Sequence, residues 1–202
     1  MKLYGEGRSR WIRPLWMLRE LGVDFEAVEV DREGGELDTP AFRALNPSGK
    51  IPVLVDQGQP ICESGAILLY LGDRHRSSGL LPEAGSIERG QHDQWMFAVA
   101  TEFEQPLWVL HKAMNGRGGD VSTSLRELGA AARTFQDRLA DRTFLMGEGF
   151  QAVDIMFGHL LTWNVARPLL PEWPVLRAYA RRLVARPGFP GHLYADGALT
   201  GL

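Results

Sequence analysis

Three short stretches in the first third of the chain carry groups able to hold an extended, peptide-like molecule with charged ends and a thiol. The first is Gly5-Glu-Gly-Arg-Ser-Arg-Trp11, which leads into an apolar helical pattern. Pro14 lacks an N–H and is tolerated only in a first helical turn, so that helix starts no earlier than about Arg10 or Trp11. Ser9 then stands at the helix N-terminus, where a thiolate would meet a hydroxyl donor, the positive helix end and the flanking Arg8 and Arg10. The second stretch is Asn46-Pro-Ser-Gly-Lys-Ile-Pro-Val-Leu54. Pro52 falls where a strand should begin, so it is an edge or first residue, or its peptide bond is cis. A cis bond would turn the backbone groups of Ile51 and Val53 outward, free to pair with a ligand by strand addition. The third is Glu63-Ser64, just ahead of a helix whose apolar face begins at Ile67. The backbone N–H of Ser64 at the helix start suits a carboxylate and Glu63 suits an ammonium, the two ends of an amino-acid head group. Taken singly, each stretch also reads as plain structure: a turn into a strand, a capped helix with a solvated Glu63, a Ser9 that only caps.

The elements that must position these groups alternate. Lys2-Leu3-Tyr4 starts a strand, and Trp11, Leu15, Leu18 and Leu21 recur at helical spacing until Gly22 ends the helix. Phe25 to Val30 reads as a strand and Pro40 to Leu45 as a short helix. Ile51–Val55 and Pro60–Cys62 flank Asp56-Gln-Gly58 as a hairpin, and Ser64 to Arg76 returns to helical periodicity. That order gives a small mixed α+β domain over residues 1–78, followed by a Gly/Pro/Ser-rich linker at 79–86.

Residues 87–186 carry helix signals only, up to a Pro187-Gly188 stop, which makes 87–202 an all-α second domain. One helix is expected from Ile87 to Met114, with Trp95, Val99, Phe103, Leu107 and Leu110 as its stripe and a kink at Pro106. Ser124 and Glu127 form a capping box for the next, whose buried face is Leu125, Leu128, Ala132, Phe135 and Leu139. Two more helices are expected from Val153 to about Arg167 and from Pro174 to Arg186.

The 202 residues hold 25 acidic and 22 basic side chains with no Lys or Arg run, so nucleic-acid and anionic-membrane partners are disfavoured. Cys62, the single cysteine, excludes an intrachain disulfide and fits a reducing, cytoplasmic setting; it reads as a small buried hydrophobe. The start, MKLYGEGRSR, is not a signal peptide, and no apolar run approaches the ~20 residues of a membrane span. The five histidines are scattered away from Cys62, so no metal site is expected.

Asn46–Leu54, Glu63-Ser-Gly-Ala-Ile-Leu-Leu-Tyr-Leu71 and Phe150-Gln-Ala-Val-Asp-Ile155, in that order, give the chain a resemblance to the cytosolic glutathione S-transferase family along nearly its whole length. The resemblance implies a thioredoxin-like first domain with a four-stranded mixed sheet, an all-α second domain, usually a homodimer, and a cis bond before Pro52. It implies glutathione as co-substrate and no other cofactor. Carried over by motif, Ser9 would donate to the glutathione sulfur, Ile51 with Val53 nearby would pair with the cysteinyl backbone, Glu63 and Ser64 would hold the γ-glutamyl group, and Lys50 would reach the glycine carboxylate. Ser9-Arg10, with Arg13 and Leu15-Trp16 following, resembles a serine-containing subset; Arg8, Arg10 or a backbone N–H are the alternatives for holding the sulfur. By position Trp11, Phe103, Trp108 and His111 would line the pocket of a small hydrophobic electrophile. A glutathione peroxidase, dehalogenase or isomerase, or a non-catalytic interaction protein, shares the scaffold, whereas disulfide reduction would want a cysteine in the first loop. Gln151 departs from the family pattern, since Ser or Thr normally caps there, leaving only Asp154 of the box.

Overall fold

The computed structural model describes residues 1–163 and 173–202. They form two compact units, Met1–Leu81 with Ala185–Gly197, and Pro82–Val184 with Ala198–Leu202.

The first unit is built on four short strands, β1 (Lys2–Gly5), β2 (Glu26–Glu29), β3 (Val53–Asp56) and β4 (Gln59–Cys62), in the order β2-β1-β3-β4. β2 runs parallel to β1, while β3 is antiparallel to both β1 and β4, which is the thioredoxin-like arrangement. Side chains alternate across such a sheet. Tyr4, Val53, Val55 and Cys62 pack with Phe42 of α2 (Pro40–Leu45), while Leu3 and Leu54, fully buried, point to the face left for α1 (Ile12–Leu21) and α3 (Ser64–Arg74). The ends of the elements follow local chemistry. Gly22 closes α1 in the left-handed conformation at φ 62°, and Thr39 Oγ1 accepts from Phe42 N–H to start α2. Gln57 and Gly58, both at positive φ, make the β3–β4 turn.

Ala185–Gly197 joins this unit through specific contacts. Arg186 donates twice to the buried Glu20 carboxylate (2.9 and 2.7 Å), Phe189 meets Trp16 edge-on at 5.0 Å, and Asp196 takes both ends of the Arg8 guanidinium (3.2 and 2.7 Å).

The second unit is helical in its described residues. Its long first helix is interrupted: α4 (Ile87–Ala98) passes into a π turn at Val99–Phe103 and then α5 (Glu104–Met114). The expected break at Pro106 therefore falls one turn earlier, because the proline ring collides with the carbonyl four residues back and the chain widens there. α6 (Val121–Leu139) starts ahead of the expected Ser124 box. Asp120 is the cap, accepting Thr123 N–H at 2.9 Å, and Ser124 lies buried inside the helix while Leu125 is 44% exposed.

α7 (Ala152–Trp163) and α8 (Pro174–Val184) complete the unit, and the expected continuation of α7 to Arg167 lies outside the described residues. Phe103, Phe135, Phe157 and Tyr179 form the shared core. The cap missing at Gln151 comes from a distance: His92 Nε2 on α4 accepts Val153 N–H at 3.2 Å, and His92 Nδ1 lies 2.9 Å from Asp93 Oδ1. The carboxylate assigns the ring proton to Nδ1 and leaves Nε2 as the acceptor that a helix N-terminus requires. No helix among the described residues is long and apolar enough to cross a membrane.

Candidate functional site

The strand register alone brings the three singled-out stretches together. Val53 stands opposite Tyr4 on β1 and opposite Cys62 on β4. One step further along the same antiparallel ladders, Pro52 comes alongside Gly5 and Glu63. The loop leaving β1, the segment entering β3 and the segment leaving β4 therefore meet at one end of the sheet.

In the first of these, Ser9 is half-buried just ahead of α1, with its carbonyl accepting Ile12 N–H at 3.1 Å. Its Oγ donates to the Glu6 carbonyl at 2.8 Å and lies 3.5 Å from the Trp11 N–H. Arg10 is half-buried in the same turn. Arg8 is engaged by Asp196 and sits 5.5 Å over the Tyr194 ring, which ties its charge to the Ala185–Gly197 segment.

In the second, the Ile51–Pro52 bond is cis. Asn46, buried, shapes the approach: its Nδ2 donates to the Lys50 carbonyl at 2.6 Å while its Oδ1 accepts from Ser48 N–H and Oγ. Lys50 is exposed and Ile51 half-buried ahead of the strand. Val53 requires a correction. It is fully buried and has a ladder partner on either side, so its backbone belongs to the sheet, and the peptide groups left for an extended ligand are those of Ile51.

The third holds a residue that sequence reasoning did not single out for the site. Ser64 is buried as the first residue of α3, and Arg13 of α1, only 1% exposed, donates from Nη1 to its Oγ at 3.0 Å. A guanidinium sealed under this end of the sheet had a signal in the sequence, a lone arginine inside the otherwise apolar run Trp11 to Leu18, all of which the structure buries. Glu63 is exposed, and among the described residues its carboxylate has no partner. Its backbone sits at φ 66°, ψ 114°, a left-handed conformation that costs a non-glycine residue ~1–3 kcal/mol. Glu63→Gly is therefore expected to stabilise the first unit by ~1 kcal/mol, read as a higher urea midpoint, while stripping the carboxylate from the site. Cys62, next to it, is half-buried with Sγ 3.7 Å from the Leu45 carbonyl. Burial first, and the Glu63 charge second, push its thiol above the usual range, so it is not a poised nucleophile.

The four aromatic positions divide. Phe103 is fully buried against Phe135, Phe157 and Trp173, and Trp11 is 3% exposed with its ring on Gly5, so neither walls an open pocket. Trp108 and His111 are half-buried on α5, stacked on each other at 5.3 Å and each on Trp163 at 6.0 and 5.7 Å. Among the described residues there is no group of three side chains able to hold a metal ion.

Comparison with known proteins bears on the family and the fold. The model of the glutathione S-transferase N-terminal domain matches residues 1–73. Glutathione S-transferase 3 of Zea mays is 32% identical over 204 residues, covering 94% of this chain and 91% of that one. Among solved structures, a glutathione transferase from Methylococcus capsulatus aligns with TM-score 0.82 and 29% identity over 97% of this chain and 98% of its own. A sphingomonad glutathione S-transferase complexed with glutathione aligns with TM-score 0.80 and 30% identity over 98% and 99%.

Proposed function

Because this chain belongs to the glutathione S-transferase family, we propose that it is a glutathione transferase whose first unit binds glutathione, with Ser9 stabilising the thiolate for attack on a small hydrophobic electrophile. The observation that carries the reading is the meeting of Ser9, Ile51 and Glu63-Ser64 at one sheet end, underlaid by the buried Arg13. In this reading Glu63 takes the γ-glutamyl ammonium. Ser64, at the positive end of α3 and backed by Arg13, takes its carboxylate. The Ile51 backbone pairs with the cysteinyl residue, and exposed Lys50 reaches the glycine carboxylate. Glu63→Gly, though more stable, would then lose glutathione affinity. The reading carries with it a homodimer, which would cover Ile87 and Phe97 of α4, 76% and 65% exposed. A reducing cytoplasmic setting fits the unpaired Cys62.

The chemistry closes on magnitudes. A thiol of pKa ~8.5 is only ~3% thiolate at pH 7, and lowering it by ~2 units takes ~2.7 kcal/mol. A hydrogen bond to a charged acceptor supplies ~1.5–3 kcal/mol and a helix N-terminus up to ~2, so no separate base is needed. The Ser9 proton reaches the sulfur by rotating about one bond away from the Glu6 carbonyl, and the charged acceptor is the stronger of the two. Thiolate ultraviolet absorbance followed across pH with bound glutathione tests this. Wild type should show a thiol pKa ~2 units below the free value, and Ser9→Ala should bind glutathione yet lose ~1–2 units of that shift. A shift that survives Ser9→Ala assigns the sulfur to Arg10 or a backbone N–H instead, and absence of glutathione binding overturns the reading.

A further inference from the structure

The loop that presents Ser9 is held by one side chain. Trp11 is almost wholly buried, yet its indole Nε1–H donates to the Gly7 carbonyl at 2.7 Å. The same ring lies on the last residue of β1: a Cβ added to Gly5 would stand 2.4 Å from Trp11 Cβ and Cγ and 2.5 Å from Cδ2, so only glycine admits it. Gly7, whose carbonyl is the first of these two anchor points, is at φ 45°, again a glycine conformation, with open space where a Cβ would stand. The Trp11 backbone N–H faces Ser9 Oγ at 3.5 Å, and Ser9 in turn holds the Glu6 carbonyl through both its Oγ (2.8 Å) and its N–H (3.3 Å). Successive carbonyls of the loop, Glu6 and Gly7, are thus taken by Ser9 and by Trp11 respectively. Removing the indole N–H leaves the Gly7 carbonyl to seek water, and the loop is then free to relax away from the end of β1.

We propose that Trp11 is a positioning residue for catalysis: its indole clamps the Gly5–Ser9 loop against the strand end so that the Ser9 hydroxyl is aimed at the glutathione sulfur. The proposal rests on the Ser9 reading above and extends it. A hydroxyl is a useful thiolate donor only over a few tenths of an ångström, and its reach is set by where the backbone places its Cα, because serine has a single rotor. Neither the Glu63–Ser64 end nor Ile51 takes part in the clamp, so affinity for glutathione and activation of its thiol are separable here.

Trp11→Phe keeps an aromatic ring near Gly5 and removes the N–H together with part of the buried bicyclic ring. The expected result is a bound-thiol pKa raised by ~1 unit, with kcat down ~3-fold at pH 7, approaching ~10-fold in mild acid and recovering in alkali, while glutathione Kd moves less than ~3-fold. Gly5→Ala, which forces the ring off the strand, should shift the pKa in the same direction and guards against a folding artefact in the first variant. In a Ser9→Ala background Trp11→Phe should add no further pKa shift, since it acts through that hydroxyl. A merely structural Trp11 would lower the melting temperature and leave the thiol pKa in place, which overturns the proposal. If Ser9→Ala alone leaves the thiol pKa unmoved, the reading of Ser9 has failed; if Ser9→Ala moves it and Trp11→Phe does not, only the role of Trp11 has.

Discussion

Replacing Asp154 with alanine is expected to cost the helical unit ~3–5 kcal/mol, enough to unfold it at moderate temperature. The carboxylate is wholly buried and joins three parts of that unit. Oδ1 accepts Leu145 N–H at 2.9 Å and Tyr179 O–H at 2.5 Å, and Oδ2 accepts Gln151 N–H at 2.8 Å. Alanine strands all three donors away from water, each at ~1–3 kcal/mol. Asparagine is expected to be nearly as damaging, since its amide nitrogen would face one of those donors. The Tyr179 half of the pair has its own signature. Burial first, and the Asp154 charge second, push the phenol well above its usual value of 10. A group whose folded pKa is raised contributes stability that is complete below the unfolded pKa and is lost as pH climbs past it. Wild type should therefore lose stability steadily above pH ~10, and Tyr179→Phe should remove the Tyr179 share of that loss while costing ~1–2 kcal/mol at neutral pH. Urea melts of Asp154→Ala, and of wild type and Tyr179→Phe across an alkaline series, check both. An Asp154→Ala midpoint equal to that of wild type would remove the carboxylate from its place as the hub of the unit.

What the sequence disclosed was what is decided locally. Gly22, Gly58 and the Asn46–Gly49 run act through their own backbone or nearest neighbours, so the first-unit elements stand close to where periodicity and punctuation put them. The second unit was harder wherever the deciding partner is remote. Gln151 looked like a missing cap because nothing nearby replaces it, and His92 supplies the acceptor from 61 residues away. Ser124 and Glu127 matched a capping pattern, but Asp120 three residues upstream of Thr123 captured the helix start first. Leu125 fits the apolar stripe by type, yet lies 44% exposed. At the site, Ser9, Ile51, Glu63 and Ser64 were legible as residue types, but that they share one sheet end follows from register, which a sequence does not print. The cis bond at Pro52 came from resemblance alone. Val53 was misread because the ladders on both its sides exist only in three dimensions.

Arg13 gives the second large effect, and it falls on binding. A guanidinium that is 1% exposed has given up its water, and what it gains in return includes the Ser64 Oγ at 3.0 Å. In the proposed complex that hydroxyl accepts from Arg13 and donates its own proton to the γ-glutamyl carboxylate, so the cation polarises the bond that holds the ligand. Arg13→Met keeps most of the aliphatic stem and the helix propensity while removing the charge. Removing one buried charge leaves behind the groups that faced it, at a cost in stability. A charge-assisted contact to the ligand carboxylate contributes ~1.5–3 kcal/mol. Arg13→Met is accordingly expected to lower the melting temperature and to bind glutathione ~10- to 100-fold more weakly. The thiol pKa of whatever glutathione remains bound should be little changed, because Ser9 and its loop are untouched. Arg13→Ala also empties the space filled by the stem and should lose a further ~2–4 kcal/mol of stability. Ser64→Ala should weaken binding less than Arg13→Met does, since the α3 N-terminus and the cation both remain. Calorimetric titration with glutathione, paired with thermal melts of the same three variants, separates these outcomes. Wild-type affinity in Arg13→Met would reduce Arg13 to a packing residue and leave the γ-glutamyl carboxylate to Ser64 and the helix end alone.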